Sequence, residues 1–151
     1  MQSKFLAGKL HGIQVTETKL HYHGSITLDL DFIEAAGMRP LEFVCIWNKA
    51  NGNRFETYVL PGKRGSGVCC LNGAAAHLVT EGDEVIVASY RYVDRETAVA
   101  PISARVVIFS AANTIERIIR QEVNVATGEF TEIELPQCLQ PSRQVEALNV
   151  S

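Results

Sequence analysis

The chain sets a serine hydroxyl directly after a glycine carbonyl, in the tetrapeptide Tyr22-His23-Gly24-Ser25. A hydroxyl is a nucleophile. The Gly24 carbonyl has no Cβ to obstruct attack on it, and glycine accepts strained backbone angles more readily than other residues. Taken alone, the dipeptide also reads as a glycine bulge followed by a surface serine. Arg54 carries a planar guanidinium fork that matches a carboxylate bidentately, and Lys9 is a second positive group able to balance a second acid. An exposed Lys or Arg on a strand also serves solubility alone. Gly73, Ala74 and Ala75 follow Asn72 at a helical start, where N–H groups are unpaired and small side chains let an anion approach. The same stretch reads equally as a plain turn capped by Asn72. His11, His21, His23 and His77 raise the question of a metal. His21 and His23 share a strand face, but no carboxylate or cysteine spacing completes a site, so no metal is expected.

The elements that must position these groups are mostly strands. Residues 4–16 are rich in apolar and β-branched types without a helix cap, which predicts a strand bent or bulged near Gly8 or Gly12. Residues 20–28 read as a second extended run, weakened by Gly24. An acidic start and a glycine stop predict a short helix over 29–37. Residues 42–48 and 55–60 are β-type runs joined by Asn51-Gly52, a hairpin signal. Residues 61–67 form a loop, expected to be mobile and solvated, followed by a strand through Leu71. A turn at 81–83 leads into a long apolar strand over 84–93, and 103–109 reads as another. Residues 114–121 are open between a helix and an irregular edge, and 123–133 suit a hairpin around Thr127-Gly128. Many short strands, frequent glycine turns and two short helices predict an all-β, single-domain closed barrel. Residues 136–151 are polar and without period, and are expected to be loosely held.

Composition narrows the function classes. A chain of 151 residues, 46% hydrophobic, has enough apolar content for one core. Net charge is −3 with both signs mixed, so no basic stripe is available to neutralise a phosphate backbone, and nucleic acid is not an expected partner. No apolar run approaches the ~20 residues that span a bilayer, and no charged segment followed by an apolar one marks a signal peptide. A cytoplasmic location without a membrane partner follows as an expectation. Cys45, Cys69, Cys70 and Cys138 lack C-x-x-C spacing, and neighbours on a strand point to opposite faces, so reduced, mostly buried thiols are expected.

The ordered set Gly8-Lys9-Leu10-His11, Gly24-Ser25, Ile46-Trp47-Asn48, Asn51-Gly52, Arg54-Phe55, Thr57-Tyr58, Arg64-Gly65-Ser66 and Asn72-Gly73-Ala74-Ala75-Ala76-His77 resembles the pyruvoyl-dependent aspartate 1-decarboxylase family. The resemblance runs from about residue 5 to 126. His23 departs from it, standing where relatives carry an acidic residue, and so do residues 91–104 and the tail. The family implies a double-psi β barrel with short helices over 1–126, self-cleaved at Gly24-Ser25 into a 1–24 β chain and a 25–151 α chain. Residues 127–151 would be a partly disordered C-terminal extension. It also implies a homotetramer with active sites between subunits, and leaves open a maturation factor as a further partner.

By the same resemblance Ser25 is converted to a covalent pyruvoyl cofactor that takes substrate as a Schiff base. The activity implied is decarboxylation of L-aspartate to β-alanine and CO2, for pantothenate and coenzyme A biosynthesis. Thr57 is the candidate oxyanion stabiliser of cleavage and a substrate contact. Tyr58 is the proton donor, since a phenol of pKa ~10 keeps its proton at neutral pH. Lys9, Arg54, Gly73, Ala74 and Ala75 are candidate substrate-binding residues, with His11, Tyr22, Trp47 and Asn72 in support. Thr57 and Tyr58 also read as ordinary strand residues. Being neighbours, they face opposite ways on a regular strand, so a distorted strand or a site between subunits is expected.

Overall fold

The computed structural model describes residues 1–96 and 100–136. They form ten strands, one short α-helix and two 3₁₀ turns. Strand β1 (Gln2–Gln14) pairs antiparallel with β7 (Glu84–Asp94) and parallel with β8 (Ile102–Ser110). Its register with β7 slips between Leu6 and Gly8 and between His11 and Ile13, so both glycines sit at bulges, as their place in an apolar run predicts. Beyond β7 come β4 (Phe43–Asn48) and β5 (Arg54–Gly62), an antiparallel hairpin closed by Gly52 at φ 77°. β5 then pairs parallel with β3 (Ser25–Asp29), β3 antiparallel with β6 (Cys69–Asn72), and β6 parallel with β2 (Glu17–Lys19). On the other side β8 is followed by β9 (Thr114–Val123) and β10 (Phe130–Leu135).

The architecture is all-β and a single domain. The strand order is β10-β9-β8-β1-β7-β4-β5-β3-β6-β2, with β10 and β2 at its ends, so the described ladders do not close into a ring. One core cluster nevertheless joins Val107 and Ile118 of β8 and β9 to Ile26, Cys69 and Leu71 of β3 and β6. A flat sheet would hold these strands far apart, so the sheet must curl around a common interior. Helix α1 (Leu30–Ala35) plugs this interior with Phe32 and Ile33, and the Phe32 ring meets Phe109 edge-on at 4.8 Å.

Asp29 explains why the chain turns where it does. Its carboxylate caps α1 by accepting from the Asp31 amide at 2.8 Å, and also accepts from the Gly65 and Gly67 amides at 3.2 and 2.8 Å. Arg64 reaches both Asp31 and Glu34 at 2.8 Å. The 61–67 loop is therefore pinned to α1, correcting the expectation of a mobile segment.

Three further expectations change. Residues 20–24 are not part of a strand, and β3 begins at Ser25. The open choice at 114–121 resolves as strand β9, and Phe130–Leu135 adds a regular strand within the segment taken as extension. The remaining tail expectation falls on residues 137–151, which lie outside the described residues, as does Cys138. Cys69 packs into the core and burial pushes its thiol up to about 12, while Cys70 lies on the opposite face. Among the described residues no helix is long and apolar enough to cross a membrane.

Candidate active site

Ser25 is fully buried at the first position of β3. Antiparallel pairing sets it directly opposite Asn72, the last residue of β6. Directly opposed residues share a sheet face, so their side chains meet. Asn72 Nδ2 donates to Ser25 Oγ at 2.8 Å and to Thr27 Oγ1 at 3.0 Å, and Asn72 Oδ1 accepts from Cys70 Sγ at 3.2 Å. Both amide protons are thereby committed. The Ser25 hydroxyl in turn donates to the His23 carbonyl at 3.3 Å. Among the described residues no ionisable side chain hydrogen-bonds Oγ. Its one side-chain partner is an amide donor, which favours negative charge developing on that oxygen.

Asn72 precedes the 3₁₀ turn Gly73–Leu78, but its side chain makes no capping bond there. The sequence-based cap is corrected: the carboxamide is spent across the sheet on Ser25 and Thr27. Gly73 follows at φ 66°, and a Cβ on it would stand 2.8 Å from the Gly24 Cα, the Gly24 nitrogen and the Tyr22 carbonyl oxygen. Residues 72 and 73 thus flank Gly24-Ser25, Asn72 through its hydrogen bond to Ser25 Oγ and Gly73 by leaving room for the Gly24 backbone. Gly24 itself has no positive φ, and a Cβ on it would meet nothing within 4 Å. The strained glycine expected at the serine is therefore Gly73. Ala74 is exposed beside it and Ala75 is buried.

Strand β5 is regular. Thr57 and Val59 are buried, Tyr58 between them is half-buried, and its register with β4 has no slip. The distortion expected at Thr57-Tyr58 is absent. Parallel pairing matches Ile26 with Val59. Continued one residue upstream to the start of β3, that register sets Ser25 level with Tyr58. The Tyr58 ring packs against Phe43 at 6.0 Å. Tyr22 is exposed, its ring 5.7 Å from that of His23.

The cations stand elsewhere on the same chain. Register places His11, Ile86, Trp47 and Arg54 in one row across β1, β7, β4 and β5. The Arg54 guanidinium lies over the Trp47 ring at 4.9 Å, a cation–π contact that restricts where the fork can point. Lys9 is two residues along β1 from His11. Burial, reinforced by Lys9 and Lys49 and opposed by Glu84, lowers the His11 pKa, and its Nδ1 is buried without a partner. Arg54 is four residues from Tyr58 along β5, roughly 13 Å at strand rise, and Lys9 is three strands further across the sheet. Within one chain the structure therefore joins Ser25, Gly24, Asn72 and Gly73. It leaves His11, Trp47 and Arg54 in a separate row, with Lys9 in the next same-face row along β1, level with Ala88, Cys45 and Glu56. Thr27 and Cys70 belong to the serine network and were missed, although their i, i+2 spacing from Ser25 and Asn72 places them on the same face.

Gly65-Ser66 repeats the dipeptide but not its surroundings. Ser66 is exposed and its hydroxyl donates to the Lys63 carbonyl at 2.6 Å. What separates the two serines is burial and a side-chain donor on Oγ, since both backbones are held in place.

A buried serine held by an amide donor is the candidate reactive centre of this chain, and comparison with known proteins gives its class. The chain belongs to the aspartate decarboxylase family, whose pattern it matches over residues 1–116. It is 51% identical over 122 residues to Aspartate 1-decarboxylase of Bacillus subtilis, covering 81% of this chain and 95% of that protein. It is 54% identical over 112 residues to Aspartate 1-decarboxylase 2 of Mesorhizobium japonicum (74% of each). With Aspartate 1-decarboxylase of Neisseria meningitidis it shares 52% identity over 117 residues, 78% of this chain and 91% of the relative. The chain is a carbon–carbon lyase of the carboxy-lyase class.

Proposed function

We propose that this chain is a proenzyme that cuts itself at Gly24-Ser25 and then decarboxylates L-aspartate to β-alanine and CO2, supplying pantothenate and coenzyme A biosynthesis in the cytoplasm. The observation that carries the reading is the clamp on residue 25. Ser25 is buried, its Oγ is held by Asn72 Nδ2 at 2.8 Å, and the backbone of the preceding Gly24 lies where a Cβ on Gly73 would have to go. Preorganisation of this kind is what an intramolecular attack requires.

In the cleavage, Ser25 Oγ forms a bond to the Gly24 carbonyl carbon and the C–N bond breaks, giving an ester and a free amine. Loss of the Ser25 Cα proton with rupture of the Cβ–O bond releases the Gly24 carboxylate and leaves dehydroalanine. Water then replaces its nitrogen as ammonia, leaving a pyruvoyl group. Thr57, buried on β5 beside Tyr58, would donate to the oxygen that becomes negative in the first step.

The bound pyruvoyl group supplies an electrophilic carbonyl that draws electrons away from the carbon losing CO2. The chain's own residues bind, orient and move a proton. Arg54, oriented by Trp47, takes a carboxylate by its fork, and Lys9 adds a second charge. Gly73, Ala74 and Ala75, of which Ala74 is exposed, would offer backbone donors to the substrate, and the Tyr58 hydroxyl returns a proton to the substrate carbon. Because Lys9 and Arg54 stand apart from Ser25 within one chain, the complete site takes both from a neighbouring copy. That agrees with a homotetramer built on a double-psi barrel. Competing L-aspartate and L-glutamate in one CO2-release assay tests the substrate. Aspartate should be consumed in large excess, and equal release from both would reject it.

A further inference from the structure

Three arginines from three strands line one cavity: Arg91, in the segment that departs from the family pattern, and Arg105 and Arg120 beyond it. The cavity has a volume of about 360 Å³ and is bounded by β7, β8, β9 and the end of α1. Arg105 and Arg120 are directly opposed across the antiparallel β8–β9 pair, and Arg91 reaches the same space from β7. Like charges directly opposite on a sheet destabilise it, so this register has a cost that something must offset. Arg120 has Glu122 at a long 3.7 Å. Among the described residues no carboxylate lies within ion-pair distance of Arg91 or Arg105. Their hydrogen bonds go to backbone carbonyls instead, Arg91 to Ser103 and Arg105 to Ala35 at 3.4 Å. These bonds fix the forks and leave most of their donors open. Glu42 is the single carboxylate in the lining, and its Oε2 already accepts from the Arg39 amide at 2.9 Å. Tyr90 and Ser103 also line the cavity.

We propose that this cavity is a binding site for a phosphate-bearing small molecule, separate from the catalytic residues, none of which lines it. Three forks offer more donors than the two oxygens of one carboxylate can use, whereas a phosphoryl group presents three acceptor oxygens and up to two charges. The volume admits a phosphorylated metabolite rather than the bare anion alone.

Thermal unfolding of the full chain in inorganic phosphate, pyrophosphate, succinate or chloride, at equal ionic strength, tests the assignment. Phosphate and pyrophosphate should raise the melting temperature saturably, by about 2–4 °C, and chloride should not. Arg105→Gln should abolish that rise and, with its like-charge neighbour relieved, melt no lower than wild type in chloride. Phosphorus NMR line broadening of phosphate, lost in Arg120→Gln, gives a readout independent of stability. A rise shared by chloride, an equal rise with succinate, or an Arg105→Gln chain that still responds would each overturn the proposal. So would no phosphate response together with a smaller oligomer for Arg105→Gln, since another copy would then fill the cavity.

Discussion

Gly73 stands so close to Gly24 that any side chain on it would have to displace the backbone preceding Ser25. The contact is backbone to backbone, 2.8 Å from the position of an added Cβ, and no rotamer change relieves it. Gly73→Ala should therefore be costly twice. The left-handed angle costs about 1–2 kcal/mol for a residue with a Cβ, and overpacking adds about 1–3 kcal/mol. Gly24→Ala, facing open space, should stay near wild-type stability by denaturant unfolding. Any loss of self-cleavage in Gly24→Ala then reflects the reaction and not the fold.

Asn72→Ala removes the one side-chain donor that Ser25 Oγ has among the described residues and takes the Asn72 amide from the Thr27 hydroxyl. Unpaired buried groups of this kind cost about 1–3 kcal/mol each. Self-cleavage should slow by about tenfold or more, in line with 1.4 kcal/mol per decade. Asn72→Asp keeps the shape but offers acceptors only, so it should process as poorly as Asn72→Ala while unfolding differently with pH. Time courses on denaturing gels check both.

Stability should fall in two separate windows as pH drops. His11 has a folded pKa below its unfolded value of 6.5, chiefly through burial. The unfolded chain therefore binds its proton first, and stability declines from about pH 6.5 down through the folded pKa. His11→Gln should remove that slope. Glu34 has a folded pKa below the ordinary carboxylate value of 4.5 because Arg64 hydrogen-bonds its carboxylate. Its contribution is present above the unfolded pKa and is lost as pH falls through the folded one. Arg64→Gln should flatten this second, more acidic window and leave the first intact.

Ser25→Ala and Arg54→Ala chains should each be inactive alone and regain activity when co-expressed, if a site draws Ser25 and Arg54 from different copies. Random mixing in equal amounts gives about a quarter of sites with both native residues in a closed oligomer. No recovered CO2 release in assemblies verified to contain both chains would place the whole site in one protomer.

Much of the fold was legible because local chemistry and tertiary structure agree. Asp29 and Gly37 bracket α1, Asn51-Gly52 turns the β4–β5 hairpin, and Gly8 and Gly12 mark the bulges of β1. Misreadings arose where a tertiary partner overrides a local preference. Asn72 has the composition of a helix cap, yet Ser25 competes successfully for its amide from 47 residues away. Residues 61–67 look like a free loop because nothing nearby reveals that Asp29 will hold two of their amides. The 114–121 segment alternates poorly, and its strand character comes from pairing with β8 on one side and β10 on the other. Among candidate site residues, types could be read directly from sequence. Their partition into a serine clamp and remote cations required the register.

Intact mass of purified chain, before and after prolonged incubation, tests the self-cleavage most directly. Conversion should yield a 24-residue fragment ending at Gly24 and a larger fragment whose first residue carries a ketone in place of an amine. Both should be absent in Ser25→Ala. A chain that stays whole at full length, with a hydroxymethyl group still on residue 25 and no CO2 released from aspartate, would contradict the account.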